Sequence, residues 1–194
     1  KLTAACGGVQ TRVEDLGNGF AKVHISAEVR PDVLKRTNWP GERVVSGISR
    51  MTQFAEDPYR SATDKKGFMN GTDPFAFAVG TDFLRISSFV HGHQSASSPG
   101  GSFLDWNETE SGTLLAEGSI TVPLDSLHAD SDKPTAVFSR KMLGNPSDEE
   151  LLGLLGTMGL LSNLAARKAL STVGIQEGHM KLDGKLTAYV QGKK

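Results

Sequence analysis

Cysteine is almost missing: Cys6 is the one thiol in 194 residues, so no internal disulfide forms and stability has to come from packing. Aromatic residues are sparse at 7%, which predicts a modest core. Charge of one sign is lacking too. With 21 Lys and Arg against 22 Asp and Glu, the formal charge is -1, so the whole chain does not draw in nucleic acid or anionic lipid, and any polyanion site must be a local patch. The longest apolar run, residues 151–161 with glycines inside it, is about half of the ~20 residues a spanning helix needs. No membrane partner is expected. No Gly-x-Ser-x-Gly, Walker loop or dinucleotide fingerprint occurs, so the residues suggest no enzyme and no cofactor.

Hydrophobic residues at 38% and charged residues at 22% fit a chain that folds in water. Glycine, at 22 residues, favours tight turns. The expected organisation is a single domain over 1–194, with an arm at 1–8, antiparallel sheet over 9–143, two helices over 147–174 and a tail or last strand over 179–194. Residues 9–30 form the clearest unit: a hairpin turning at Asn18-Gly19, whose second arm puts Ala21, Val23, Ile25, Ala27 and Val29 on one face. Residues 31–74 look like edge strands, one at 43–51, and long loops. Alternation over 83–93, 112–124 and 135–142 predicts further strands, with Pro123 near a strand end. Ser147 and Glu150 have capping-box spacing, and a leucine stripe follows them, interrupted by Gly153, Gly156 and Gly159. Three glycines in a helix suggest close approach of another backbone.

The polar faces of two predicted strands carry the candidate binding residues. Lys22, His24 and Arg30 on one, with Arg85 and His91 on the other, combine cations with neighbouring hydroxyls and Phe89, a mixture suited to RNA phosphates and unstacked bases. The plain alternative is a solvated sheet face. On an extended strand His91 and His93 would also share one side, but two imidazoles without a third ligand do not make a metal site, and no metal is assigned.

The end of the sheet and the helix entry, Pro134 to Met142, then Asn145 to Glu150, then Leu151 to Gly174, resemble the coat proteins of single-stranded RNA bacteriophages. That resemblance implies an α+β fold: an N-terminal hairpin and antiparallel sheet followed by two C-terminal helices, packed across a dimer. It further implies a structural virion protein that self-assembles into an icosahedral capsid and binds genomic RNA on its inner sheet face. Partners would be a second copy and RNA. The alternative reading is a secreted or periplasmic β-rich ligand-binding domain, with Cys6 as a lipid attachment point.

Overall fold

Strict alternation and an Asn-Gly turn are enough to build the first hairpin. In the computed structural model, which describes residues 8–97, 100–176 and 184, strands β1 (Val9–Gly17) and β2 (Phe20–Val29) pair antiparallel. Asn18 and Gly19 take φ of 53° and 82°, the left-handed conformation a two-residue hairpin turn demands. Ala21, Val23, Ile25, Ala27 and Val29 are all buried, as their spacing predicts. β4 (Leu114–Pro123) runs along the other side of β2, and β3 (Leu104–Glu108) completes a four-stranded antiparallel sheet in the order β1-β2-β4-β3. Pro123 ends its strand, where its missing donor costs nothing.

Much of the remaining chain is helical, which corrects the expectation of sheet and loops across 9–143. Residues 31–74 form α1 (Pro31–Leu34), α2 (Gly41–Phe54) and most of α3 (Pro58–Ala78). The strands expected at 83–93 and 135–142 are instead helices α4 (Phe83–Ser97) and α5 (Pro134–Met142). Local chemistry explains the change. Asp57 caps α3, its Oδ1 accepting from the Tyr59 and Arg60 amides at 2.9 and 3.2 Å, with Pro58 in the first turn. Asp82 accepts from the Arg85 amide at 2.9 Å ahead of α4, and Pro134 opens α5.

The C-terminal helix α6 (Asp148–Leu170) begins at the predicted capping box. Ser147 Oγ accepts from the Glu150 amide, and Glu150 Oε2 accepts from the Ser147 amide at 2.8 Å. It is one continuous helix where two were expected, and it lies on its own sheet. A Cβ at Gly153 would stand 2.7 Å from Thr11 Oγ1, one at Gly156 would stand 2.9 Å from Ile25 Cδ1, and one at Gly159 would enter the Phe68 ring. The glycine row therefore does mark close approach, but within the chain. Crossing onto another subunit's sheet, which the coat-protein comparison implied, is not what these glycines serve. The arm at 1–7 with Cys6, and the tail beyond 176 apart from Gly184, lie outside the described residues.

α3 packs beside α6, and Gly71 is what permits it: a Cβ there would collide with the Met158 carbonyl. One core joins both helices to the sheet through Phe68, Met69, Trp106, Leu151 and Leu155. Pro74 sits inside α3; lacking an amide proton, it leaves the carbonyl four residues back, on Asn70, without its helical donor.

Candidate functional site

The residues expected to face RNA do not gather on one surface. Lys22 and His24 do lie on the outer face of β2, where His24 Nε2 meets Glu14 Oε2 at 2.9 Å. That hydrogen bond, with the nearby cations, holds the exposed Glu14 carboxyl below its usual range. Arg30 precedes α1 and is paired with Asp32 at 3.2 Å. Arg85 lies on a helix, not a strand, with Nη2 2.7 Å from Asp125 Oδ2. His91 is on the same helix, edge-on to Phe103 with ring centroids 5.7 Å apart, while His93 stacks on Phe89. Two residues apart on a helix point in different directions, so the shared side expected for His91 and His93 does not exist. Among the described residues no group of three or more His, Cys, Asp or Glu side chains is placed to hold a metal.

A different set of residues converges. Where α3, α6 and the end of α2 meet, a cleft of about 320 Å³ opens between Arg60, Lys66 and Asn70 on one wall and Asn163, Ala166 and Arg167 on the other. Met51, Phe54, Leu170 and Ile175 add an apolar rim. The spacing is helical on both sides: residues 60, 63, 64, 67 and 70 form one face of α3, and 163, 166, 167 and 170 one face of α6.

The floor of the cleft is a buried ion pair. Arg167 is 1% exposed and donates Nε to Asp64 Oδ1 at 2.8 Å. Its other nitrogens reach Thr52 Oγ1 at 2.9 Å, Ser102 Oγ at 3.2 Å and the Leu104 carbonyl at 3.4 Å. Asp64 also accepts from Asn163 and Ser102, and Asn163 Oδ1 accepts from the Trp106 indole at 2.8 Å. All three nitrogens of this guanidinium are engaged, so its charge serves the structure.

The cations left for a ligand stand at the mouth. Arg60 is exposed, its guanidinium 5.4 Å from the Phe54 ring centre, and among the described residues it has no carboxylate partner. Lys66 is exposed and reaches Asp73 Oδ2 at 3.2 Å. Beside it Lys65 is buried, which pushes its amine below the usual lysine range against the opposing pull of Asp64. Burial likewise lowers His91; Asp73 opposes that shift, and Lys66 and Lys65 add to it. A planar guanidinium suits a carboxylate fork, while a mobile ammonium suits a single oxygen acquiring negative charge. The cleft can therefore hold a partly apolar compound with an anionic end.

Sequence comparison overturns the coat-protein reading. The family model for hydroxymethylglutaryl-coenzyme A reductase matches residues 10–184. A 3-hydroxy-3-methylglutaryl-coenzyme A reductase of Archaeoglobus fulgidus is 38% identical over 157 residues, covering 78% of this chain and 35% of the relative. A probable enzyme of the same name from Borreliella burgdorferi is 30% identical over 151 residues, 76% of this chain and 34% of the relative. The class II reductase of Streptococcus pneumoniae, solved bound to NADPH in open conformations, superposes with a TM-score of 0.68 at 33% identity, covering 90% of this chain and 43% of that one. The chain thus spans about a third of the length of the curated relatives it matches. Capsid, virion, genomic RNA and the secreted ligand-binding alternative all fall with this finding, as does the expectation of no enzyme. The chain belongs to the hydroxymethylglutaryl-coenzyme A reductase family.

Proposed function

We propose that this chain carries the cationic part of the acyl site of a 3-hydroxy-3-methylglutaryl-coenzyme A reductase. A compound of that name has a free carboxylate at one end, a thioester at the other, and a methyl and a hydroxyl between them. One observation carries the reading: Arg60, Lys66 and Asn70, all supplied by α3, line one apolar-rimmed cleft. Arg60 and Lys66 are six residues apart, or about 9 Å along the axis at about 1.5 Å per residue, a separation that a glutaryl chain bonded at both ends can bridge. Arg60 would take the carboxylate. Lys66 would donate to the thioester oxygen, where reduction builds negative charge. Asn70 has an amide to orient the hydroxyl, and Phe54, Leu170 and Ile175 shield the carbon chain.

NADPH, which the Streptococcus pneumoniae relative binds, would supply the hydride. The cleft is too small for a whole dinucleotide, and among the described residues no glycine-rich turn joins a strand to a helix. The dinucleotide cradle is therefore assigned to none of the described residues. Folding as a single unit and self-association remain part of the proposal; exposed Phe77, Leu84, Phe138 and Met142 support the second, and sedimentation of the full-length protein tests it. No helix among the described residues is long and apolar enough to cross a membrane.

The test is thioester-dependent NADPH oxidation by the full-length protein. Lys66→Gln should lower kcat by about 100-fold or more, as loss of an oxyanion donor does. Arg60→Ala should act mainly through KM, raising it about tenfold or more for a lost charge-assisted pair. Parental turnover in Lys66→Gln would overturn the reading.

A further inference from the structure

We propose that Asp73 is a positioning residue for Lys66, holding its ammonium along the edge of the cleft beside Asn70. This rests on the reading of Lys66 given above. A lysine on a helix surface ordinarily samples many rotamers, because its four-carbon stem is flexible and its head is well hydrated. Lys66 instead folds along α3 for two turns, past Asn70, to reach Asp73 Oδ2 at 3.2 Å. The pair is unequal: Lys66 is 59% exposed and Asp73 only 18%.

The carboxylate is held in a way that stability alone does not explain. Asp73 Oδ1 is buried and has no hydrogen-bond partner among the described residues. An unsatisfied buried acceptor costs free energy, whereas an ion pair whose ammonium stands in water returns little. A fixed carboxylate beneath a mobile ammonium does have a use at a reacting centre: it restricts where the cation can wait. Lys66 is then presented next to Asn70, with less freedom to lose when the substrate oxygen replaces the aspartate. His91 lies close enough for both charges to act on it, Asp73 favouring its protonated form and Lys66 opposing it.

The experiment uses the full-length protein and two independent readouts. In steady-state turnover, Asp73→Asn should lower kcat about tenfold, the size expected for one charge-assisted hydrogen bond, with the thioester KM within about twofold. The thermal midpoint should be kept, and Asp73→Glu should recover part of the rate. In peptide-resolved labelling with an amine-reactive reagent and no substrate, Lys66 should react several-fold faster in Asp73→Asn than in the parent, with Lys133 as internal reference. Unchanged kcat overturns the proposal. So does a fall in kcat that follows loss of folded protein while Lys66 labelling stays at the parental rate. Parental turnover in Lys66→Gln would instead sink the reading of the cleft itself, and the labelling arm would still show whether Asp73 restrains the ammonium.

Discussion

Replacing Arg167 with methionine removes the charge beneath the cleft while keeping most of the side chain's volume. The guanidinium is 1% exposed and makes four donor contacts, to Asp64, Thr52, Ser102 and Leu104. Asp64, at 15% exposure, would keep only neutral donors, Asn163 and Ser102. Stranding one partner of a buried pair costs about 3–5 kcal/mol, which for a chain of this size lowers the melting temperature by about 6–20 °C. Urea unfolding followed by tryptophan fluorescence is the assay, since Trp106 is buried and bonded to Asn163 in the same network. Adding Asp64→Asn removes the stranded charge, so the double variant should lose about 2 kcal/mol less than the sum of the two single losses. A loss below about 1 kcal/mol for Arg167→Met, or additivity in the cycle, would refute the claim that these two charges hold α3 to α6.

Three other perturbations have definite signs. Ser147→Ala breaks the capping box at the start of α6 and should cost about 1 kcal/mol in urea. Gly159→Ala gains about 1 kcal/mol of helix propensity but drives a methyl into the Phe68 ring, so net destabilisation of about 1–2 kcal/mol is expected from overpacking; a rise in melting temperature would show that the ring moves freely. Burial holds His91 below its ordinary value of 6.5, with Asp73 opposing and Lys66 and Lys65 reinforcing the shift. The unfolded chain therefore takes that proton more readily. The imidazole's contribution is complete above about pH 6.5 and is lost as pH falls below it. Between about pH 7.5 and 5.5 the melting temperature should fall more in the parent than in His91→Gln, and equal falls would contradict the assignment.

The elements legible in the sequence are those whose signal is local and has one period. Residues 20–29 alternate without a fault and follow Asn-Gly, so β2 had no competing description. The Ser147 and Glu150 pair announced α6. Residues 83–93 were ambiguous because Ile86 and Val90, four apart, lie on one side of a strand and also on one face of a helix. Leu84 decides between them: a strand would bury it with Ile86, and it is 65% exposed. Capping carried the missing information. Asp82 before α4, Asp57-Pro58 at the start of α3 and Pro134 as the first residue of α5 are ordinary helix-start chemistry, and weighing it above the apolar alternation restores three helices.

The cleft was harder to see for a physical reason: no part of it is a local motif. Asp64 and Arg167 are 103 positions apart, and the wall formed by Arg60, Lys66 and Asn70 lies in a stretch expected to be loop. A polar face has no visible period until the helix beneath it is known. One clue stood in α6 itself. Asn163 and Arg167 continue the stripe of Leu152, Leu155 and Leu160, so the pattern that buries the leucines also buries an amide and a guanidinium. A buried cation is tolerable only beside a carboxylate with its remaining donors satisfied. The helix pattern therefore requires an acidic side chain from elsewhere in the chain, and the element that supplies Asp64 is the same one that presents Arg60, Lys66 and Asn70 to the cleft.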